Sequence, residues 1–235
     1  MALSAACSIV GTIWLMKDLE AFANMPSTLT ARWSESFDFL RIGNNPKDRS
    51  PNLAILLGYT IDRLTALMMC MVTIIGTLIF TFSLGYMSDE RKRVHDHDAH
   101  VERRGRFARF YFYMLLFAFA MLQLLIADNL LQIFACWELV GTCSFFLIGF
   151  YYERKSASTA ANKAFIMNRI GDAGFLIALA IIFTHFGTFG FNALTAEFSS
   201  WERGGLGYNL WVLMGLGLFA GCVGKSAQFP LQTWL

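Results

Sequence analysis

Charged residues are scarce in this sequence of 235 residues. Asp, Glu, Lys and Arg make up 15% of the chain, whereas the apolar residue types make up 56%. An average soluble chain is about a quarter charged, and so few charges cannot cover a globule of this size. The composition therefore argues against an ordinary cytosolic enzyme. Because aromatic residues alone reach 15% and the net charge is only +2, it also excludes an intrinsically disordered chain.

The sequence also lacks paired cysteines. Its five cysteines lie separately in apolar stretches, and none of them forms a CxxC pair. Cys136 and Cys143 would lie about 10 Å apart along one helix, which is too far for a disulfide bond. We therefore expect small, buried thiols and neither a disulfide framework nor a metal site. His95, His97 and His100 could ligate a metal, but in so charged a loop solvated side chains are the better interpretation.

Long apolar runs dominate what is present. A membrane-spanning helix needs about 20 mostly apolar residues, and we find five complete runs and one partial run. The complete runs are Leu64–Tyr86, Phe110–Ala127, Leu130–Tyr152, Ser158–Phe186 and Tyr208–Leu235, and the partial run is Met1–Met16. No sheet signal rises above noise. The sequence therefore predicts an all-α polytopic membrane protein with about five full transmembrane helices and no soluble domain.

Lys and Arg are concentrated in particular loops. The Ser88–Arg109 loop contains seven of them, and Arg154 and Lys155 follow the third run. The Gly187–Gly207 loop contains one, and the much longer Lys17–Thr60 segment contains five. Because loops rich in Lys and Arg stay on the inner side of the membrane, we predict that the first two loops are cytoplasmic. The last two segments are then outside.

Ionisable residues inside the predicted spans are the strongest functional signal. Placing one there costs at least about 2.5–3.5 kcal/mol, so it is selected against unless it faces protein or water. Glu138 lies within the third run. A buried carboxylate beside a cation can change its protonation when that cation moves, which is what a proton relay requires. The alternative is a glutamate that makes one fixed interhelical hydrogen bond.

Lys225 is the matching cation in the fifth run. It follows a glycine-rich stretch in which Gly217 and Gly221 should let another backbone approach closely. Pro230 should break the helix and free the carbonyl of Ser226, which a membrane tolerates only beside protein or trapped water. We therefore predict a hydrated cavity beside this lysine. The alternative is a lysine that snorkels from a helix end.

The fourth run contains several ionisable residues. Arg169 and Asp172 are three residues apart and can pair on one helix face. Lys163 either serves a relay or simply follows the positive-inside rule. His185 is a candidate proton exit group, although an interfacial histidine is more often just solvated. Asp128, which precedes the third run, is expected to cap the helix that follows it.

Three sequence blocks resemble a known family. They read ADNLLQIFACWELVGTCSFFLIGFYYE at Ala127–Glu153, AANKAFIMNRIGDAGF at Ala160–Phe175 and GKSAQFPLQTWL at Gly224–Leu235. In this order they resemble the largest antiporter-like membrane subunit of proton-pumping NADH:quinone oxidoreductase (respiratory complex I), the subunit 5 or L-type chain. The resemblance covers Ile61–Leu235, and before that it is limited to hydropathy. The NRIGD stretch, Asn168–Asp172, looks most like the complex I member.

This resemblance implies a fold and a mechanism. The fold would consist of antiparallel helices in two inverted five-helix repeats with broken helices at the proton pathway. Glu138 and Lys225 match the key glutamate and the central lysine of the family, and Arg169 and Asp172 match a charged pair. With Lys163, these are the candidate relay residues. In the family, the glutamate–lysine ion pair is thought to switch as quinone is reduced elsewhere in the complex, which drives protons through hydrated half-channels.

The resemblance also divides the chain. Residues 1–60 would form a partial helix and an external loop, residues 61–109 a transmembrane helix and the basic cytoplasmic loop, and residues 110–235 most of one repeat. The Ser88–Arg109 loop looks longer than is usual in the family. The sequence stops at TWL inside an apolar run, and Met1–Met16 has no positive n-region or cleavage site of a signal peptide. We therefore expect an N-terminal fragment of a longer protein.

Partners and cofactors follow from the same resemblance. No cofactor or metal is expected in this subunit, because NADH, FMN, iron–sulfur centres and quinone would belong to partner subunits. The implied setting is an energy-coupling membrane, bacterial rather than mitochondrial, with other complex I membrane-arm subunits, protons as the transported ion and no nucleic acid. Mrp-type cation/proton antiporter subunits and hydrogenase membrane arms share the glutamate and the lysine. A further alternative is a membrane scaffold whose charges only pin helices together.

Overall fold

Long apolar helices make up most of the structure. The computed structural model describes residues 6, 9–11, 13, 33–42, 53–96, 101–199 and 206–235. In these ranges, four helices are long and apolar enough to cross a membrane. They are α1 (Arg63–Tyr86), α2 (Phe107–Ile126), α3 (Leu130–Ile148) and α4 (Lys155–Phe186). Two further helices follow, α5 (Phe191–Ser199) and α6 (Leu206–Lys225).

These helices confirm the predicted all-α membrane architecture. The first four predicted runs each coincide with one long helix, because an apolar run of this length has few alternatives to a helix in a membrane. The fifth run, Tyr208–Leu235, is an α-helix only as far as Lys225. The partial run, Met1–Met16, lies largely outside the described residues, and so do His97 and His100.

The structure also contains strands, which no signal in the sequence indicated. One pair consists of β1 (Trp33–Ile42) and β2 (Leu53–Ile61). The other is an antiparallel hairpin of β3 (Arg93–Asp96) and β4 (Val101–Arg104). Hydropathy over a window long enough for a transmembrane helix averages out such short segments. The hairpin strands are also mostly charged, which gives them little intrinsic strand propensity.

The described chain forms two compact units, the first of which comprises Met1–Glu35 and Gly58–Ala127. In this unit α1 packs against α2. A hydrogen bond of 2.7 Å joins the hydroxyl groups of Ser83 and Tyr111, and the centre of the Phe80 ring in α1 lies 6.1 Å from that of the Tyr111 ring in α2. Polar and aromatic contacts therefore hold the two helices together near the connecting loop.

The basic loop between α1 and α2 is organised around a buried ion pair. The Arg103 guanidinium donates two hydrogen bonds, of 2.8 and 2.7 Å, to the Glu90 carboxylate, and the Arg106 backbone N–H donates a third of 2.9 Å. Glu90 is only 4% exposed. The guanidinium holds the pKa of Glu90 below its ordinary value. The ion pair thus joins β4 to the short segment Ser88–Arg91 that follows α1.

The second unit comprises Ser36–Leu57 and Asp128–Leu235. Its closest helix pair is α4 with α6, and α3 packs against α4. Buried apolar side chains of α4, α5 and α6 form a core cluster: Ala178, Ile182, Leu194 and Met214. This packing fixes α6 along one side of α4.

Small residues let α4 and α6 approach closely. A Cβ built on Gly217 would lie 2.6 Å from the carbonyl oxygen of Gly174, which confirms the predicted backbone approach at this glycine. A Cβ built on Gly221 would lie 3.2 Å from the Phe175 ring. The close approach brings the last turn of α6 against the middle of α4.

Asn129, rather than Asp128, caps α3, so the prediction for Asp128 was wrong. The side-chain oxygen of Asn129 accepts a 2.8 Å hydrogen bond from the backbone N–H of Gln132. Its amide nitrogen donates to the Asp128 carboxylate at 2.6 Å and to the Leu56 carbonyl at 3.0 Å. The cap lies one residue later than expected because both residues are good capping types and the turn begins at Asn129.

Candidate functional site

Charged residues from three helices meet in the second unit. Glu138 lies in α3, Arg169 and Asp172 lie in α4, and Lys225 is the last residue of α6. We call these four residues the charged cluster. Their meeting follows from the close α4–α6 packing and from the contact of α3 with α4. Four of the five candidate relay residues are therefore brought together.

The guanidinium of Arg169 lies between two carboxylates. It forms an ion pair with Glu138, and its Nη1 lies 3.7 Å from Oδ2 of Asp172. Its Cζ also lies 4.6 Å from the centre of the Phe165 ring, one turn earlier on α4. One cation is thus shared by two anions from different helices.

Asp172 is the most buried member of the cluster, with 2% of its surface exposed. Its Oδ1 accepts a 2.8 Å hydrogen bond from the indole Nε1 of Trp137. Its Oδ2 has no hydrogen-bond partner in the described part of the chain. A buried carboxylate is costly unless its charge is compensated, and Arg169 provides that compensation. Sequence reasoning missed Trp137, although an indole inside an apolar span needs a partner for its N–H.

Lys225 reaches α3 beside a glycine. A Cβ built on Gly141 would lie 2.5 Å from the Lys225 Nζ, and this Nζ lies 5.9 Å from the centre of the Trp137 ring. Among the residues that the structure describes, Lys225 forms no ion pair with Glu138, whose partner is Arg169. The arrangement therefore differs from the direct glutamate–lysine pair that the family resemblance implies.

The helix that carries Lys225 ends at that residue. The carbonyl of Gly224, in its last turn, accepts a 2.9 Å hydrogen bond from the Trp234 indole Nε1. Ala227 then adopts a φ of 50°, a left-handed conformation that is uncommon for residues other than glycine. The break that Pro230 predicted is thus present, and the lysine stands at its edge. The hydrated cavity expected beside it stays a prediction.

Other residues singled out by the sequence lie apart from the cluster. Lys163 is exposed and precedes Arg169 by about 9 Å along the axis of α4. His185 is exposed in the last turn of α4, with its ring 6.5 Å from that of Phe186. No group of three or more metal-ligating side chains is found in the described ranges.

Two family models match this chain. Residues 127–235 match the transmembrane domain of the NADH:quinone oxidoreductase/Mrp antiporter family. Residues 49–95 match the N-terminal region of chain 5 of NADH-ubiquinone oxidoreductase, or complex I. The first match includes all four residues of the charged cluster.

Curated relatives carry corresponding names. NAD(P)H-quinone oxidoreductase chain 5 of a Synechocystis species is 40% identical over 180 residues, which are 76% of this chain and 24% of the relative. NADH-quinone oxidoreductase subunit L of Rhodobacter capsulatus is 40% identical over 197 residues, 80% of this chain and 26% of the relative. NAD(P)H-quinone oxidoreductase chain 5 of a Picosynechococcus species is 35% identical over 227 residues, which are 96% of this chain and 29% of the relative. The chain thus spans about a quarter of these relatives. It belongs to the family of antiporter-like membrane subunits of NADH:quinone oxidoreductase known as chain 5 or subunit L.

Proposed function

We propose that the charged cluster is part of a proton relay in a membrane subunit of a proton-pumping NADH:quinone oxidoreductase. The observation that carries this proposal is the convergence of Glu138, Arg169, Asp172 and Lys225 from three helices. Ionisable groups inside membrane helices are expensive, and they typically mark ion pathways. The cluster also lies inside the segment that matches the antiporter family.

The shared guanidinium suggests how protonation at one carboxylate reaches another. When Glu138 is charged, it competes with Asp172 for Arg169, which lies beside both. Protonation of Glu138 removes its attraction for the guanidinium, which is then drawn towards Oδ2 of Asp172. The position of Arg169 thus links the charge of Glu138 to that of Asp172. This coupling is what a relay needs.

The wider role of the subunit depends on partners. In this proposal, partner subunits oxidise NADH and reduce quinone, and this chain contributes no cofactor. Other membrane-arm subunits would surround it in an energy-coupling membrane, and protons would be the transported ion. Lys163 would join the relay only through further groups, because it lies outside the cluster.

Neutralising the cluster tests the proposal. We expect Glu138→Ala and Lys225→Ala, made in the full-length protein and assembled in its complex, to lower NADH-driven proton pumping at least tenfold. Lys155→Ala is the matched control, since Lys155 is an exposed lysine at the start of α4. Proton uptake would be measured in membrane vesicles after the amount of assembled complex has been equalised. Unchanged pumping in both cluster variants would overturn the proposal.

A second candidate function is cation/proton antiport, because the matching domain is shared with Mrp antiporters. Sodium-dependent proton movement in vesicles without NADH would favour that function. A purely structural role predicts a different result: Glu138→Gln would lower the amount of assembled complex, and the complex that does assemble would pump normally. The amount of assembled complex on a native gel separates this last outcome from the other two.

A further inference from the structure

We infer that Gly141 is a positioning residue whose missing side chain provides the seat for the Lys225 ammonium group. The inference deepens the proposed function of the charged cluster and rests on it. The seat is formed by the bare backbone of α3 at Gly141 and by the ring of Trp137 one turn earlier. It holds the end of a lysine side chain that comes from α6.

The Lys225 ammonium group fills the space beside Gly141. A Cβ built on Gly141 would lie 2.5 Å from Nζ and 3.9 Å from Cε of Lys225. Real Cβ atoms essentially never have contacts under 3.0 Å. The ammonium group therefore occupies the volume that any other residue at position 141 would fill. The Nζ atom is the end of a flexible side chain, so the lysine would move away from α3 to make room for a Cβ.

The seat lies on the same face of α3 as Glu138 and Trp137. Gly141 follows Glu138 by three residues and Trp137 by four, so the three share one face of α3. The Trp137 ring lies 5.9 Å from Nζ, within the range in which a cation is attracted to an aromatic face. The seat thus places the lysine charge one turn from the glutamate without a direct ion pair between them.

The seat also holds the charge of Lys225 close to that of Arg169. The same Cβ position on Gly141 lies 3.8 Å from Nη2 of Arg169, so the seat keeps two cations close together. The charged groups around it are Glu138 from α3 and both Arg169 and Asp172 from α4. Because like charges repel, any shift of Arg169 between its two carboxylates changes the proton affinity of Lys225. A side chain at position 141 would place the Lys225 ammonium group farther from Arg169, and a movement of Arg169 would then affect it less.

Glycine-to-alanine variants of the assembled complex test the seat. We expect Gly141→Ala to lower NADH-driven proton pumping at least fivefold and to displace its pH profile by about half a pH unit or more. The matched control is Gly215→Ala in α6, where a Cβ would have nothing within 4 Å. This control should keep pumping within twofold and leave the pH profile in place. A purely structural defect would change the yield of complex without moving the profile.

Two comparisons distinguish a seat for Lys225 from a packing role of Gly141. If Gly141→Ala does not assemble, Gly141→Ala combined with Lys225→Ala should assemble normally, because the seat is then empty. Continued failure of the double variant would show that Gly141 serves helix packing, and the inference would be wrong. If Lys225→Ala stops pumping while Gly141→Ala behaves like Gly215→Ala, the inference falls and the proposed function stands. If Lys225→Ala pumps normally, the inference falls, and if Glu138→Ala pumps normally as well, the proposed function falls with it.

Discussion

Single residues join the charged groups of neighbouring helices, and Trp137 is one of them. Its indole donates to a carboxylate that is 2% exposed, and its ring faces the lysine ammonium at 5.9 Å. The same side chain therefore contacts the buried anion of α4 and the cation of α6. A tryptophan can do both because its polar edge and its apolar face point in different directions.

Trp137→Phe should separate these two roles, because it keeps a ring and removes the N–H donor. Asp172 would then lose its hydrogen bond at Oδ1, and leaving a buried acceptor unsatisfied costs about 1–3 kcal/mol. We expect a lower thermal unfolding temperature and a several-fold loss of pumping. In an Asp172→Ala background, Trp137→Phe should cost little. An equal cost in both backgrounds would contradict the link between these residues.

The buried pair Glu90–Arg103 predicts a pH-dependent stability. The Arg103 guanidinium lowers the pKa of Glu90 from its ordinary value of 4.5. The stabilisation is therefore complete above pH 4.5 and is lost as the pH falls through the lower pKa of the folded state. Glu90→Gln should lower the free energy of unfolding by about 3–5 kcal/mol at neutral pH, since the buried Arg103 then loses the charge of Glu90.

Unfolding of the detergent-solubilised protein between pH 7 and pH 3 measures this effect. The unchanged protein should lose stability in the acid range more steeply than Glu90→Gln does. Asp89→Asn, at an exposed aspartate beside Glu90, is the control and should follow the unchanged protein. Parallel pH curves for all three proteins would refute the prediction.

At the scale of elements, the α4–α6 contact decides where the lysine stands. A Cβ built on Gly171 would lie 2.8 Å from the Ala220 carbonyl oxygen and 3.0 Å from the Cα of Gly224. These are backbone atoms, which cannot rotate away as a side chain could. The contact point lies next to Lys225, so any widening of the helix pair also moves the cation.

Gly171→Ala should therefore destabilise the protein. Overfilling a close contact costs about 1–3 kcal/mol, which outweighs the gain of about 0.5–1 kcal/mol from replacing glycine in a helix. Gly85→Ala in α1 is the control, because a Cβ there has nothing within 4 Å. It should be neutral or slightly stabilising. Thermal unfolding of both variants measures the difference, and equal midpoints would argue against a tight contact.

Elements differed in how well the sequence predicted them. The membrane helices were predictable because each is a local apolar run, and the Arg169–Asp172 spacing was visible because both lie on α4. The Arg169–Glu138 ion pair could not be predicted from the sequence, because it depends on how α3 and α4 pack against each other. The break at the end of α6 was predictable from Pro230, although the apolar run continues to Leu235, past the residue where the helix stops.

At the scale of the whole molecule, polarity is inverted relative to a soluble protein. Large apolar side chains are exposed along the described helices, among them Phe82 at 73%, Phe112 at 61% and Leu216 at 59%. In water such surfaces would aggregate, whereas in a bilayer they contact lipid chains. The charges of the cluster are partly or fully buried instead. This distribution supports a membrane environment. In a membrane, the side on which each helix end lies can be measured.

The orientation of α4 follows from the charges at its ends. The helix has 32 residues, about 48 Å at 1.5 Å per residue, so both ends project from a hydrocarbon core of about 30 Å. Arg154 and Lys155 at its start predict the inner side. In a cysteine-free protein, Asn192→Cys should react with a membrane-impermeant maleimide in intact cells, and Ser156→Cys only in inside-out vesicles. Both positions are exposed. The reversed pattern would invert the predicted orientation, and labelling of both from one side would show that α4 does not span.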